Sequence, residues 1–138
     1  MDKLDKQYIR IAEIWSENSH ARRKKVGAIV VKDRTIISDG YNGMPSGFPN
    51  DCEYESATGL VTRPELLHAE ANAISKLARG TMSSVGATLY TLVSPCMECS
   101  KLIVQSGITR VVFKEAYRDL NGVGLLRKAG IQVDQVGS

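Results

Sequence analysis

Apolar and polar positions follow two different periods along this chain, and the switches between them mark out its elements. Over residues 3–17, Leu4, Tyr8, Ile11, Ala12 and Trp15 recur at helical spacing, with Asp2, Asp5, Lys6, Arg10, Glu13 and Glu17 between them. That pattern predicts an amphipathic helix with the apolar set inward. The polar, basic residues 18–25 lead into the run Val26-Gly27-Ala28-Ile29-Val30-Val31, whose β-branched residues predict a strand buried on both faces. Lys32-Asp33-Arg34 reads as a turn and residues 35–41 as the returning strand, so the sheet opens with an antiparallel hairpin. Residues 42–63 hold Asn42, Gly43, Pro45, Ser46 and Gly47 and then a polar run. A connection this long is usually functional or disordered, and the functional reading is favoured here.

Beyond it, helical and strand patterns alternate. A helix starting between residues 62 and 68 runs to about Arg79, with Ala71, Ile74, Leu77 and Ala78 as its apolar face and Gly80 as its stop. Residues 87–93 form a third strand, which Ser94-Pro95 ends while starting a helix to about Gln105, capped by Gly107. Residues 108–113 are a fourth strand, residues 119–128 a short helix with Leu120, Val123 and Leu126 inward, and residues 131–133 an edge strand. This order predicts an α/β fold: a three-layer α/β/α sandwich on a five-stranded mixed sheet, antiparallel first and parallel later. Ligands on such sheets collect beyond the carboxyl ends of the strands.

The totals narrow the function classes. A chain of 138 residues, 43% hydrophobic, fits one domain over residues 1–138. A net charge of +3, from 18 basic and 15 acidic residues, is too mild to argue for a nucleic-acid partner. No apolar run approaches the roughly 20 residues of a membrane helix, and the start lacks a signal-peptide core. The expectation is a cytoplasmic protein with neither membrane nor nucleic acid as partner. Three cysteines, two of them spaced Cys-x-x-Cys, point to metal or redox chemistry rather than a disulfide framework.

Two stretches carry that chemistry: His68-Ala69-Glu70 and Pro95-Cys96-Met97-Glu98-Cys99. Cys96 and Cys99, three apart in the first turn of a helix, face one way, and the unpaired N–H groups there favour thiolate. With His68 they make three zinc ligands and leave a tetrahedral position open, the arrangement of a catalytic site. Glu70 stands where it can move the protons of a zinc-activated water without binding the metal. Taken singly, Cys-x-x-Cys is often half of a structural zinc knuckle and His-x-Glu is common by chance. A closed structural site would need a fourth ligand, and only Cys52 and His20 remain, so a second zinc site is not expected and Cys52 reads as a packing residue. A thioredoxin-like use of the cysteines would leave His68 and Glu70 without a role.

Together the two stretches match the H-x-E…P-C-x-x-C signature of zinc nucleobase deaminases. With Gly40-Tyr41-Asn42-Gly43-Met44-Pro45, the chain resembles the deoxycytidylate (dCMP) deaminases from about Tyr8 to Val133. The resemblance implies a cytidine-deaminase-like fold, zinc on His68, Cys96 and Cys99, and Glu70 as the proton carrier converting dCMP to dUMP and ammonia. It also implies that the basic run Arg22-Arg23-Lys24-Lys25 reaches the phosphate, with Lys24 the first candidate, and that Asn42, Ala69 and Tyr117 contact the substrate. The plainer readings are a solvated loop for the basic run, a turn residue for Asn42 and half-buried packing for Tyr117. It implies further a homo-hexamer activated by dCTP and inhibited by dTTP, with Mg2+ accompanying the triphosphate, at Gly40, Tyr41, Asn42 and Gly43. The same zinc chemistry serves deaminases of tRNA adenosine or free cytidine, and a zinc-stabilised binding module without turnover is the alternative from another class.

Overall fold

The computed structural model describes residues 3–137, so Asp2 lies outside the described residues. The elements are α1 (Lys3–Ser16), β1 (Gly27–Lys32), β2 (Thr35–Tyr41), β3 (Glu53–Ser56), β4 (Gly59–Thr62), α2 (Ala69–Leu77), β5 (Thr88–Val93), α3 (Met97–Gln105), β6 (Arg110–Glu115), α4 (Asn121–Lys128) and β7 (Gln132–Gln135). The main sheet has five strands in the order β2-β1-β5-β6-β7. β1 pairs antiparallel with both β2 and β5, and β5-β6 and β6-β7 are parallel. This is the α/β architecture and mixed sheet the pattern predicts.

Strand alternation builds the layers. Ala28 and Val30 of β1, Leu89 of β5, and Val111 and Phe113 of β6 face one way, into a core closed by Ala73, Ile103, Val123 and Leu126 of α2, α3 and α4. Ile29, Val31, Tyr90 and Val112 face the other way and meet Ile9 of α1. All of β1 from Gly27 to Val31 is buried, as its run of apolar residues requires. The hairpin turn is Asp33-Arg34, both at positive φ (51° and 61°), the backbone that a two-residue hairpin loop demands. No helix among the described residues is long and apolar enough to cross a membrane.

Three expectations need correction. The buried stripe of α1 is Asp5, Ile9, Ala12 and Ser16, one step round from the predicted face, and Ile11 and Trp15 are exposed. The cause is electrostatic: Asp5 accepts from Tyr90 Oη at 2.6 Å and from both Arg110 terminal nitrogens at 2.8 and 2.9 Å, so a carboxylate sits where the pattern places leucine. Residues 42–63 are not all loop, because β3 and β4 form a separate two-stranded hairpin. On α4, Val123 and Leu126 are buried but Leu120 is exposed, since the helix begins two residues later and leaves Leu120 at its N-cap.

Candidate active site

The site begins with how α2 is seated on β2. A side chain at Gly40 would collide with α2, its Cβ lying 2.6 Å from the Ala69 carbonyl oxygen and 2.7 Å from the Ala73 nitrogen. Glycine there lets helix and strand backbones touch. Asn72 Nδ2 donates to the Tyr41 carbonyl at 2.7 Å and Ser38 Oγ to the Ala73 carbonyl at 2.6 Å. Gly43 and Leu67 exchange both main-chain hydrogen bonds, at 3.0 and 2.9 Å, which pins the segment entering α2. His68 is therefore the extended N-cap of α2 rather than a residue of its first turn; Ala69 and Glu70 open the helix. Across the site Pro95 ends β5 and Cys96 is the extended N-cap of α3, with Cys99 on its first turn.

These two helix starts bring three donors together. The Cys96 and Cys99 sulfurs lie 3.5 and 3.3 Å from His68 Nδ1, and the ligand atoms of all three are within 4.8 Å of one another. Hydrogen bonds from Cys99 and His68 pull the Cys96 thiol down to about 3. Pairing with that thiolate and burial hold Cys99 protonated, and the hydrogen bond to the Cys96 sulfur holds the His68 imidazole above its ordinary value. Two soft sulfurs and a borderline imidazole nitrogen at helix N-termini, sharing protons at contact distance, fit a thiophilic cation such as zinc. Glu70 is 5% exposed, and burial pushes its carboxyl up to about 7 against the pull of its own backbone amide and of His68. A carboxyl near neutrality is matched to proton transfer.

His68 and Cys96 open on a cavity of about 560 Å3 that is also lined by Ala69, Glu70, Arg23, Lys24, Tyr117 and Arg118 among others. Residues 2–115 match the cytidine and deoxycytidylate deaminase zinc-binding region. The chain belongs to this family. Among its relatives, the deoxycytidylate deaminase of Enterobacteria phage T4 is 36% identical over 169 residues, covering 93% of this chain and 87% of that one. That of Mycobacterium phage D29 is 40% identical over 123 residues, covering 79% and 92%. The crystal structure of the dCMP deaminase from cyanophage S-TIM5 in complex with dCMP and dUMP matches with a TM-score of 0.91 at 40% identity, covering 99% of each chain. The zinc expected from the sequence therefore has the support of the family and of the donor set.

Within the deaminase site, the four expected substrate residues Lys24, Asn42, Ala69 and Tyr117 all line the cavity. Asn42 is buried and already engaged: Oδ1 accepts from the Val26 amide at 2.9 Å and Nδ2 donates to the Lys24 carbonyl at 2.8 Å. Lys24 reaches Glu115 at 2.7 Å. Of the expected effector residues, Gly40, Tyr41 and Gly43 line a different cavity of about 480 Å3 together with His20, Cys52, Lys76 and Arg79, while the Asn42 side chain faces the catalytic one. Sequence reasoning missed Glu53, Glu115 and Arg118, which also line the catalytic cavity. Only Arg118, beside Tyr117, carried a signal: a cation next to an expected substrate contact.

Gly122 supports the metal-binding loop from behind. A methyl group there would lie 2.3 Å from the Pro95 carbonyl oxygen and 2.8 Å from that of Cys96, so α4 rests directly on the peptide that carries the first thiol. Gly122→Ala is expected to weaken zinc binding by about tenfold or more, the scale of a lost supporting contact, measured by chelator competition. Gly124→Ala, with nothing within 4 Å of the added methyl, is the matched control and should retain wild-type zinc affinity.

Proposed function

We propose that this protein is a dCMP deaminase of one domain that converts dCMP and water to dUMP and ammonia. The observation carrying the reading is that His68, Cys96 and Cys99 converge, and that His68, Cys96 and the buried Glu70 line one cavity with Arg23, Lys24 and Arg118. Hydrolytic chemistry and cations for a phosphate thus share one enclosure. His68 Nδ1 and the sulfurs of Cys96 and Cys99 would hold one zinc ion, which when bound supplies the Lewis acidity that lowers the pKa of water toward about 7. Glu70 takes a proton from the attacking water and delivers it to N3 of cytosine as the water oxygen bonds to C4. It then carries the remaining proton of that water, from the new C4 hydroxyl, to the exocyclic nitrogen; the C4 carbonyl forms as the C4–N bond breaks, and ammonia leaves. Tyr117, whose amide donates to Ser94 Oγ at 2.6 Å, is held over the cavity, where its ring would pack on the base or sugar. Lys24 and Arg23 receive the phosphate. The exposed pair of Lys24 with Glu115 is weak enough to exchange for a phosphate oxygen.

The reading extends to regulation and assembly. The second cavity, lined by Gly40, Tyr41 and Gly43 together with His20, Lys76 and Arg79, suits a nucleoside triphosphate, dCTP as activator or dTTP as inhibitor, accompanied by Mg2+. Exposed apolar side chains such as Ile14, Met97, Leu102 and Leu120 are consistent with a homo-hexamer. Three free thiols suit a reducing, cytoplasmic setting.

The test is the ultraviolet absorbance change of base deamination with dCMP, dCTP, CMP, deoxycytidine and deoxyadenosine offered separately to the zinc-loaded protein. Fast turnover of dCMP over the others is expected, and a preference for deoxycytidine, CMP, dCTP or deoxyadenosine would overturn the substrate assignment. Repeating the dCMP curve with dCTP should lower the concentration giving half-maximal rate. An unchanged curve would remove the effector reading alone.

A further inference from the structure

One buried charge on the catalytic cavity has no part in metal or proton chemistry. Glu53, at the start of β3, is 2% exposed, and its carboxylate accepts the Arg22 amide at 2.9 and 3.1 Å and the Arg23 amide at 3.0 Å. The Arg22 guanidinium adds to this, with Nε 3.7 Å from the carboxylate and Nη2 donating to the Glu53 carbonyl at 3.2 Å. Two successive amides converging on an anion form a nest, and here the anion belongs to a hairpin about 30 residues downstream. A carboxylate is costly to bury unless its acceptors are filled. In this fold the filling groups are the main chain of the basic loop, so loop and carboxylate fix one another.

The far end of that loop is held by Asn42, through the Lys24 carbonyl and the Val26 amide. Between the two clamps the four cations take separate places. Arg22 is spent on Glu53, Arg23 and Lys24 line the cavity, and Lys25 is exposed and not part of its lining. Thr62, at the end of β4, accepts from Arg23 Nη1 at 3.4 Å, so the same hairpin meets the loop a second time.

We propose that Glu53 is a positioning residue for substrate phosphate: it holds the Arg22-Arg23 main chain so that Arg23 and Lys24 turn into the cavity. The proposal rests on the reading of dCMP as substrate. Metal ligands and Glu70 sit on α2 and α3, whereas Glu53 holds only the basic loop. Its loss therefore acts on the phosphate end of the site and leaves the reacting end in place.

The test is steady-state kinetics on the zinc-loaded full chain. Glu53→Gln keeps the size of the side chain but sets an NH2 group or a single neutral oxygen against the two amides. The KM for dCMP is expected to rise about tenfold, the scale of a lost charge-assisted hydrogen-bond set, with kcat changing far less. Inhibition by dUMP should weaken by the same factor and inhibition by deoxyuridine, which lacks the phosphate, should not. Glu53→Asp, a carboxylate on a shorter arm, should fall between wild type and Glu53→Gln, and it decides the matter if the glutamine variant does not fold. A folded variant of either kind with wild-type KM, a loss confined to kcat, or equal weakening of dUMP and deoxyuridine overturns the proposal while leaving the substrate reading intact. A wild-type protein that does not turn over dCMP removes both.

Discussion

Glu70→Gln is expected to bind one zinc per chain as the wild type does and to deaminate dCMP on the order of 10^3-fold more slowly, within the range that a positioned acid–base group contributes. Glu70 is not among the three donors whose ligand atoms cluster, so its amide should leave metal content unchanged. What is lost is the capacity to accept a proton from water and return it to N3 and then to the leaving nitrogen. The variant is close to isosteric and the side chain is 5% exposed, so the fold has little reason to move. Elemental analysis and single-turnover kinetics on the same preparation decide it. Full metal with a retained rate would take Glu70 out of the proton path, and loss of both together would mean that the carboxylate supports the metal instead.

Much of this site was legible because it is local. His68-Ala69-Glu70 and Cys96-Met97-Glu98-Cys99 are short stretches in which spacing alone puts each set of functional groups on one helix start, and Ser94-Pro95 marks where the second of those starts falls. The hairpin of β1 and β2 was legible for a similar reason, since an unbroken β-branched run and a two-residue turn leave few alternatives. The rest depends on partners distant in sequence. Asp5 is buried through Tyr90 and Arg110, 85 and 105 residues away, and no periodicity marks an acidic residue as inward-facing. β3 and β4 are strands of only four residues, EYES mostly exposed and GLVT half-buried from Leu60 to Thr62, so neither shows the alternation that a strand with one buried face displays. Glu53 lies in this hairpin, and its role becomes visible only when the hairpin folds back on the basic loop. The functional weight expected of the long connection is present, but it is carried by a hairpin rather than by irregular chain.

Cys99→Ala should abolish stoichiometric zinc binding and, with it, deamination, while leaving the protein folded. Reducing three protein donors to two lowers retention by about 10^3-fold or more, a modest share of the total free energy of a zinc site. The sulfur is buried, 3% exposed, and it sits 3.3 Å from His68 Nδ1, so its removal takes away a donor in direct contact with another ligand. The expectation of a retained fold comes from the two cores. The cluster under α2, α3 and α4 and the cluster under α1 are built from aliphatic and aromatic side chains on either face of the five-stranded sheet, and neither includes a metal donor. Replacing one thiol by a methyl group removes a single heavy atom, at a cost of about 1 kcal/mol. Zinc titration and far-UV circular dichroism of the variant therefore separate two roles for the ion. A folded, zinc-free, inactive protein is the outcome for a catalytic metal. Unfolding on loss of the metal would instead make zinc a structural element, the behaviour of a zinc-stabilised binding module, and would remove the argument that the open side of the donor set exists for water.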